Sequence, residues 1–345
     1  MVRALALFSG GLDSILACRV VADQGVEVKA ITFVSPFFGY EILDDPDRYR
    51  REMLKKYGID VLVEDISAQY LQILRNPAHG FGKNFNPCID CKIFMLSRAR
   101  EMLVELGASF LITGEVVGQR PMSQRRDTLN VIERDSGNRS ILLRPLSAKL
   151  MRETEAERQG LVDRERLLDF SGRGRSRQIA LAKEMGITDF PAPAGGCILA
   201  DPILSRRVAR IYSGDFLLPP EDVTPLDVMF FLVGRQFVLP GGGWLILGRD
   251  EQENLRLARL CGETDMLLVM ENRPGPTAVL RRAAAFSAER LDADLQTAAA
   301  LVVRYGKKMP PGLQKGEVDV FSSAGKTVLM ADPLPEQMMM AFQLT

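Results

Sequence analysis

Apolar residues in the first third of the chain form short runs that alternate with longer amphipathic stretches. The runs cover residues 3–8, 26–34, 58–66 and 107–115. Helix-like spacing of apolar positions is found between these runs, at residues 12–24, 46–57 and 89–106. Strands that alternate with helices of this length predict βαβ units and a parallel sheet covered on both faces. We therefore predict that the chain begins with an α/β domain.

The pattern changes twice further along the chain. Residues 171–225 are rich in Gly, Arg and Pro and contain one predicted helix, at about 176–185. From residue 226, short apolar runs flank a Pro-Gly-rich turn, and a further helix is predicted at about 251–260. These changes predict an α/β domain at 1–170, a connecting segment at 171–225 that carries Cys197, and a second, smaller α+β domain at 226–345.

Composition narrows the function classes only slightly. The 345 residues carry 44 Lys or Arg and 44 Asp or Glu, so the net charge gives no general signal for nucleic-acid binding. Any RNA would have to be bound by local clusters of basic residues. The sequence shows neither the apolar core of a secretory signal nor an apolar run of membrane-spanning length. We therefore expect a cytoplasmic protein with no membrane partner.

The cysteines and the single histidine limit the chemistry further. The chain has five cysteines, and an odd number disfavours a disulfide framework. A Ser-His-Asp site would have to use His79, the only histidine, and we do not expect it to be catalytic. Cys18 lies on the apolar side of the first predicted helix, where we expect a core residue, and we assign no chemistry to Cys261.

The first strand passes into the first helix through a short polar turn, Ser9-Gly10-Gly11-Leu12-Asp13-Ser14. Free backbone N–H groups and the helix dipole favour an anion at such a helix start. The glycines allow a close backbone approach, the two serines can donate hydroxyl hydrogen bonds, and Asp13 can hold Mg²⁺. An ordinary turn with a serine cap is the alternative interpretation.

The whole hexapeptide resembles the SGGxDS signature of the PP-loop ATP pyrophosphatases. The resemblance implies an adenine nucleotide alpha hydrolase-like fold that binds ATP and Mg²⁺ and splits ATP between the α and β phosphates. It also implies that adenine lies at the end of the second strand. The implied nucleotide-binding residues are Ser9, Gly10, Gly11, Asp13, Ser14, Thr32, Phe33, Gly114 and Gln119.

A Cys-x-x-Cys motif, Cys88 to Cys91, opens the helix predicted at 89–106. A thiol at a helix N-terminus is acidified, which suits either a nucleophile or a metal ligand. Three interpretations remain open: an iron–sulfur cluster, a catalytic cysteine that forms a persulfide, and a zinc-bound or inert pair. Structural zinc normally takes four ligands, and the sequence offers neither a second Cys-x-x-Cys nor a pair of histidines.

Residues 3–205 resemble the tRNA thiouridine synthetases. The resemblance is carried by the strings Gly118-Gln119-x-x-x-Ser123-Gln124 and Arg144-Pro145-Leu146, together with the cysteines. In the 2-thiouridylase branch the catalytic cysteine falls at Cys91, and a second family cysteine falls at Cys197. With Cys88 added, the three cysteines resemble the ligands of the subgroup that carries a 4Fe–4S cluster. Three thiolates would leave one iron without a protein ligand.

This resemblance implies an ATP-dependent tRNA sulfurtransferase. The enzyme would adenylate a uridine carbonyl and replace its oxygen with sulfur, with Asp13, Cys91 and Cys197 as catalytic residues. The sulfur donor would be free sulfide or a persulfide derived from a cysteine desulfurase. Because a base inside a duplex is inaccessible, the target uridine has to be unstacked.

The C-terminal domain resembles the NFACT-R RNA-binding domain. The matching parts are Gly248-Arg249-Asp250 with Asn254, Pro274-Gly275-Pro276, and Lys307-Lys308 before Gly316. Arginine clusters also occur in the first part of the chain, and arginine binds RNA phosphates through its planar fork. The predicted RNA-binding residues are Arg120, Arg173, Arg175, Arg177, Lys307 and Lys308.

Two other functions fit parts of the sequence. One is a PP-loop ligase or amidating enzyme in which the cysteines are structural. The other is an RNA-binding adaptor without catalysis, which would depend on the C-terminal domain. The intact nucleotide signature disfavours the adaptor, and the three cysteines disfavour the ligase.

Overall fold

The chain folds into two compact units, Met1–Asp201 and Pro202–Thr345. The structure is a computed structural model that describes residues 2–192, 197–214, 218–308 and 315–344. Residues 171–225, for which we predicted a connecting segment, are shared between the two units.

The first unit is built on a five-stranded sheet with the order β3-β2-β1-β4-β5. Every neighbouring pair in it is parallel, as the alternating pattern predicted. The strands are β1 (Arg3–Leu7), β2 (Glu27–Val34), β3 (Asp60–Asp65), β4 (Phe110–Thr113) and β5 (Leu142–Leu143). The four predicted strands are confirmed, and β5 is an additional edge strand.

Helices connect these strands and cover the sheet. They are α1 (Leu12–Ala22), α2 (Pro46–Tyr57), α3 (Ser67–Arg75), α4 (Cys88–Glu105), α5 (Arg126–Asp135), α6 (Glu155–Arg158) and α7 (Ser176–Glu184). The predicted helices correspond to α1, α2, α4 and α7 within two residues at each end, whereas α3, α5 and α6 were not predicted.

The core of the first unit lies between the sheet and its helices. Helix α1 is buried along most of its length, and Cys18 belongs to the core, as expected. Helix α2 begins where the side chain of Asp45 accepts a hydrogen bond from the Arg48 amide, 2.8 Å away, and Pro46 fixes the first turn. It ends at Gly58, whose φ of 70° is left-handed.

The second unit contains a seven-stranded sheet with the order β11-β10-β8-β9-β7-β6-β12. Its paired strands are antiparallel, which confirms a smaller α+β domain. The strands are β6 (Arg235–Val238), β7 (Trp244–Leu247), β8 (Met266–Val269), β9 (Ala278–Arg281), β10 (Gly316–Ser322), β11 (Gly325–Ala331) and β12 (Gln343–Leu344). The helices are α8 (Pro202–Tyr212), α9 (Pro225–Phe231), α10 (Glu251–Leu260), α11 (Ala288–Tyr305) and α12 (Glu336–Phe342).

A buried ion cluster lies beside this second sheet. Asp227 is fully buried and bonds Arg281 at 2.9 Å and Arg282 at 2.6 Å. Arg281 also bonds Asp265 at 2.6 Å. Each buried charge therefore has a partner of opposite sign, and removal of one partner would leave an uncompensated charge. Among the described helices, none combines the length and apolarity that a membrane crossing requires.

Candidate active site

The polar turn after β1 lies where the order of the first sheet reverses. β1 pairs with β2 on one side and with β4 on the other, and the turn follows its carboxyl end. In parallel sheets, ligands bind outside the carboxyl ends of the strands at such a switch point. Helix α1 begins at Leu12 with no side-chain cap, so its first backbone N–H groups are available to an anion.

Glycine is required at two positions around this turn. Gly10 has a φ of +70°, which is left-handed. Gly114, just after β4, packs so closely that a Cβ atom would lie 2.5 Å from backbone atoms of Asp13 and Ser14. Gly114 therefore contacts the turn directly through its backbone. Ser14 stabilises the turn internally, since its hydroxyl donates to the Gly11 carbonyl at 2.8 Å.

The carboxylate of Asp13 is the centre of a polar network. Its Oδ2 accepts hydrogen bonds from Gln119 at 2.6 Å and from Arg175 at 3.1 Å. Gln178 donates in turn to Gln119, at 3.1 Å. The other oxygen, Oδ1, is buried and has no hydrogen-bond partner in the described part of the chain. A buried carboxylate oxygen without a partner fits a hard cation such as Mg²⁺.

The residues predicted to contact adenine are mostly buried in the sheet. Thr32 donates its hydroxyl to the Phe8 carbonyl at 2.8 Å, and Phe33 is buried in β2. The hydroxyl of Tyr49, on α2, lies 3.5 Å from the Thr32 hydroxyl and faces Gly10. Adenine binding by Thr32 and Phe33 stays a prediction.

The three predicted cysteines meet around Tyr70 on α3. The Tyr70 side chain is only 2% exposed, and its hydroxyl hydrogen-bonds with the thiols of Cys91 and Cys197. Cys88 is close enough to interact electrostatically with Tyr70 and with both other thiols. Cys88 and Cys91 open α4, and the amide of Asn86 donates to the Cys88 sulfur at 3.1 Å.

Cys197 reaches the other two cysteines from a distant part of the sequence. The amide of Ile198 donates to the Phe37 carbonyl at 3.1 Å, which ties the residues after Cys197 to the end of β2. The preceding part of the predicted motif, residues 193–196, lies outside the described residues.

The environment of Cys91 and Cys197 disfavours ionisation of their thiols. The pKa of Cys91 is raised to about 12, mainly by burial and also by the nearby Cys197, while Lys92 acts in the opposite direction. Burial likewise raises the pKa of Cys197 to about 11, with Cys88 adding to the effect. Burial also raises the pKa of Tyr70, and the neighbouring thiols contribute. Thiolates packed this closely require a positively charged partner.

Cys88, Cys91 and Cys197 are the thiols for which the sequence predicts a 4Fe–4S cluster. Among the described residues, no group of three or more His, Cys, Asp or Glu side chains is arranged to hold one metal ion. A cubane distributes its cysteine ligands over separate irons, so the thiols need not surround one point. Binding of a cluster by Cys88, Cys91 and Cys197 stays a prediction.

A buried chain of charges begins next to the cysteines. The Nζ of Lys92 lies 3.6 Å from Oε1 of Glu115, which is 2% exposed. Oε2 of Glu115 accepts a hydrogen bond from Nε of Arg144 at 2.9 Å, and Arg144 also pairs with Glu133. The positive neighbours Lys92 and Arg144 hold the pKa of Glu115 below its usual value despite the opposing effect of burial.

The loop that leads into α4 presents an aromatic pair. The rings of Phe81 and Phe85 stack with centroids 4.2 Å apart, and Phe81 is 40% exposed. Gly82 between them packs against Met122, where a Cβ atom would lie 2.2 Å from the sulfur. The amide of Asn84 donates to the Ala200 carbonyl at 2.8 Å. These contacts hold an exposed aromatic surface next to the cysteine-bearing helix.

His79 anchors the same loop. Its Nδ1 lies 3.1 Å from Asp90 and its Nε2 3.1 Å from Asp135. Both ring nitrogens face carboxylates, and the hydrogen bond to Asp90 is the main factor that raises the pKa of His79. The geometry gives this residue a structural role.

The predicted RNA-binding residues differ in their surroundings. Arg120 and Arg173 are exposed, and Arg175 is drawn inward to Asp13. Arg177 pairs with Asp169, and its guanidinium lies 4.3 Å from the centre of the Phe170 ring. Lys307 and Lys308 in the second unit are exposed. RNA binding by these six residues stays a prediction.

Sequence reasoning missed several residues of the site. Tyr70 and Tyr49 belong to amphipathic patterns that give no chemical signal. Glu115 is the last residue of the predicted strand 107–115, and its position beyond the carboxyl end of β4 could have identified it.

Both units match family models. Residues 2–153 match the model described as thiamine biosynthesis protein (ThiI), and residues 234–342 match the NFACT protein RNA binding domain. The first of these stretches is similar to tRNA sulfurtransferases. A tRNA sulfurtransferase of Desulfurococcus amylolyticus is 30% identical over 146 residues, which cover 42% of this chain and 29% of that protein. The predicted resemblances at both ends of the chain are thus confirmed.

Solved structures give weaker similarities. A 4-thiouridine synthetase–RNA complex with bound ATP is 23% identical, with a TM-score of 0.40, and covers 58% of this chain and 45% of that one. The U34-tRNA thiolase NcsA from Methanococcus maripaludis, solved with its [4Fe-4S] cluster, is 16% identical, with a TM-score of 0.33. The match covers 62% of this chain and 68% of that one. The present chain spans only 29% to 36% of the first curated relatives that it matches.

Proposed function

We propose that this protein is an ATP-dependent tRNA sulfurtransferase that adenylates a uridine carbonyl oxygen and replaces it with sulfur. The observation that carries the proposal is the meeting of Cys88, Cys91 and Cys197 around Tyr70. These thiols lie in the same unit as the turn of residues 9–14. Nucleotide activation and sulfur chemistry are both required for thiolation.

In the adenylation step, the turn would bind the phosphates of ATP. The N–H groups at the start of α1 would donate to phosphate oxygens, and Asp13 would hold Mg²⁺ through its unpartnered oxygen. Arg175 and Gln119 orient the Asp13 carboxylate from the other side. The uridine carbonyl oxygen would attack the α-phosphorus, and pyrophosphate would leave.

In the sulfur step, Cys88, Cys91 and Cys197 would hold a 4Fe–4S cluster. When bound, such a cluster supplies an iron without a protein ligand, at which a sulfide can be carried. The three cysteines are half-buried, and the Sγ of Cys88 accepts a hydrogen bond from the side-chain amide of Asn86 in the loop before α4. Sulfur would attack the activated carbon of the uridine, and AMP would leave.

The partner RNA would be tRNA, bound by both units. The exposed ring of Phe81 offers a stacking surface for an unstacked base, and the NFACT-type domain would contribute Lys307 and Lys308. The sulfur donor would be free sulfide or a desulfurase-derived persulfide. The cytoplasm is the proposed location.

The test is thiolation of transcribed tRNA by anaerobically purified protein with ATP, Mg²⁺ and sulfide, followed by mass spectrometry of the nucleosides. We expect ATP-dependent thiouridine from wild type and none from Asp13→Asn. Asp292→Asn, which changes an exposed aspartate on α11, is the control. Pyrophosphate release without thiouridine would favour a ligase, and tRNA binding with neither product would favour an adaptor.

The cluster is tested by iron and sulfide analysis of the same protein. About four irons and four sulfides per chain are expected, as in a cubane. Cys88→Ala, Cys91→Ala and Cys197→Ala should each lose the iron, whereas Cys261→Ala should keep it. Thiolation by iron-free protein that requires a desulfurase-derived persulfide in place of sulfide would replace the cluster with a persulfide transferred to Cys91. Its outer sulfur would attack the activated carbon as AMP leaves, and Cys197 would then attack the Cys91 sulfur and release the thiouridine, leaving a Cys91–Cys197 disulfide.

A further inference from the structure

A pocket of about 430 Å³ lies beside the edge strand β5 of the first unit. Its walls come from α5, from β5 and from residues 148–157. None of the residues discussed as nucleotide or sulfur ligands lines it. The pocket is therefore a feature that adenylation and sulfur transfer leave unexplained.

Positive charge dominates the lining of this pocket. It contains four arginines and two glutamates, namely Arg126, Arg139, Arg144, Arg152, Glu133 and Glu157. Both glutamates are already engaged, Glu133 with Arg144 and Glu157 with Arg164. Three of the arginines are exposed, namely Arg126, Arg139 and Arg152. Within the described ranges, no acidic group forms an ion pair with any of these three.

The side chain of the fourth arginine, Arg144, is fixed by two ion pairs, but one of its nitrogens lacks a hydrogen-bond partner among the described residues. Its side chain is 1% exposed, its Nε bonds Glu115 and its Nη1 bonds Glu133. The remaining nitrogen, Nη2, is buried and has no hydrogen-bond partner among the described residues. A buried N–H group without a partner is disfavoured unless a ligand accepts its hydrogen bond. Nη2 can donate a charge-assisted hydrogen bond to an oxygen of a phosphate group.

We propose that this pocket binds a backbone phosphate of the RNA substrate, an inference that rests on the proposed function. The volume exceeds that of a lone phosphate ion, and exposed arginines can follow a sugar–phosphate backbone on both sides of the bound group. Such contacts fix the register of an RNA and carry no sequence information.

The chain of buried charges favours RNA over free phosphate as the occupant. Arg144 is joined through Glu115 to Lys92, which directly follows Cys91 on α4. A phosphate on Arg144 is thus positioned relative to the helix that carries the reactive thiols. This arrangement suits an RNA substrate, because its reacting base has to lie at the thiols while its backbone phosphate is bound at Arg144.

The test compares Arg139→Gln/Arg152→Gln with wild type in tRNA binding measured by fluorescence anisotropy at several salt concentrations. Affinity should fall roughly fivefold or more, and the slope of log affinity against log salt should become shallower by about two, one for each phosphate contact. The control is Arg51→Gln, which changes an exposed arginine on α2, a helix that packs beside the opposite edge strand β3. Thermal unfolding verifies that each variant is folded.

Three outcomes would overturn the proposal. The first is a double variant with the affinity and salt slope of Arg51→Gln. The second is loss of inorganic pyrophosphate binding by the double variant, measured by calorimetry, together with an unchanged tRNA affinity. This result would assign the pocket to a free anion. The third is wild-type protein that binds no tRNA. Binding that depends on the pocket without any thiouridine product would instead refute the sulfurtransferase function and leave the phosphate site standing.

Discussion

Gly114 shows how a single missing side chain controls the nucleotide turn. A Cβ atom there would meet backbone atoms of Asp13 and Ser14 at 2.5 Å, and backbone cannot move aside as a flexible side chain can. We expect Gly114→Ala to destabilise the fold by about 1–3 kcal/mol and to abolish ATP-dependent pyrophosphate release. Gly174→Ala, at a site with no atom within 4 Å of the added Cβ, is the control. Normal pyrophosphate release by Gly114→Ala would contradict the placement of ATP on this turn.

His79 gives a prediction that its own NMR signal can test, because it is the only histidine. The hydrogen bond to Asp90 is the first cause of its raised pKa, so its titration midpoint should lie above the ordinary 6.5. The folded pKa exceeds the unfolded one, so this contribution to stability is complete below about pH 6.5. It is lost as the pH rises through the folded pKa.

Asp90→Asn should lower the His79 midpoint and weaken this pH dependence of unfolding, since the contact with Asp135 remains. Asp127→Asn, on α5, changes an aspartate that pairs with Arg125 and should leave the midpoint unchanged. An Asp90→Asn protein with the wild-type midpoint would show that this contact is absent in solution.

At the level of elements, the aromatic loop before α4 is the feature whose role is easiest to isolate. Phe81→Ala should weaken tRNA binding several-fold, because stacking of one base on an aromatic ring is worth about 1–3 kcal/mol. ATP binding should be unchanged, and Phe81→Trp should retain tRNA affinity. Leu54→Ala, which removes an exposed apolar side chain on α2, serves as the control. Equal losses for Phe81→Ala and Leu54→Ala would remove the stacking role.

The elements that the sequence predicted are those with continuous apolar patterns. Strands β1, β2 and β4 are buried on both faces along most of their length and therefore stand out as apolar runs, whereas the edge strand β3 is only partly buried. Helix α3, of nine residues, was not predicted. Its Tyr70 acquires its role from Cys91 on another helix and from Cys197, which lies more than a hundred residues away. Local pattern carries no information about such long-range contacts.

At the level of the whole molecule, RNA binding should depend on charges in both units. Lys307→Gln/Lys308→Gln should lower tRNA affinity and make the salt dependence shallower by about two, since each phosphate contact releases counterions. ATP-dependent pyrophosphate release without RNA should not change. Lys55→Gln, an exposed lysine on α2, is the control. An unchanged salt dependence would exclude these lysines from the RNA interface.

The sequence predicted two domains of different fold class joined by a connecting segment, and the structure divides the chain after Asp201. Both ends of the chain carry recognisable motifs, whereas the stretch between them is mostly polar and glycine-rich. Helix α7 within that stretch contributes Ala182 to the core of the first unit, and α8 packs against α9 in the second. Which side of a boundary a short helix joins depends on packing that composition does not encode.

The division after Asp201 also bears on how such a chain could have arisen. The turn, the three thiols and the arginine-lined pocket all precede the division. A gene segment that encodes residues up to this point would carry all the residues to which the proposed function assigns adenylation and sulfur transfer. Recombination that exchanged the second unit for another module would leave those sites intact. Under the proposed function, the architecture therefore permits substrate choice to evolve separately from sulfur chemistry.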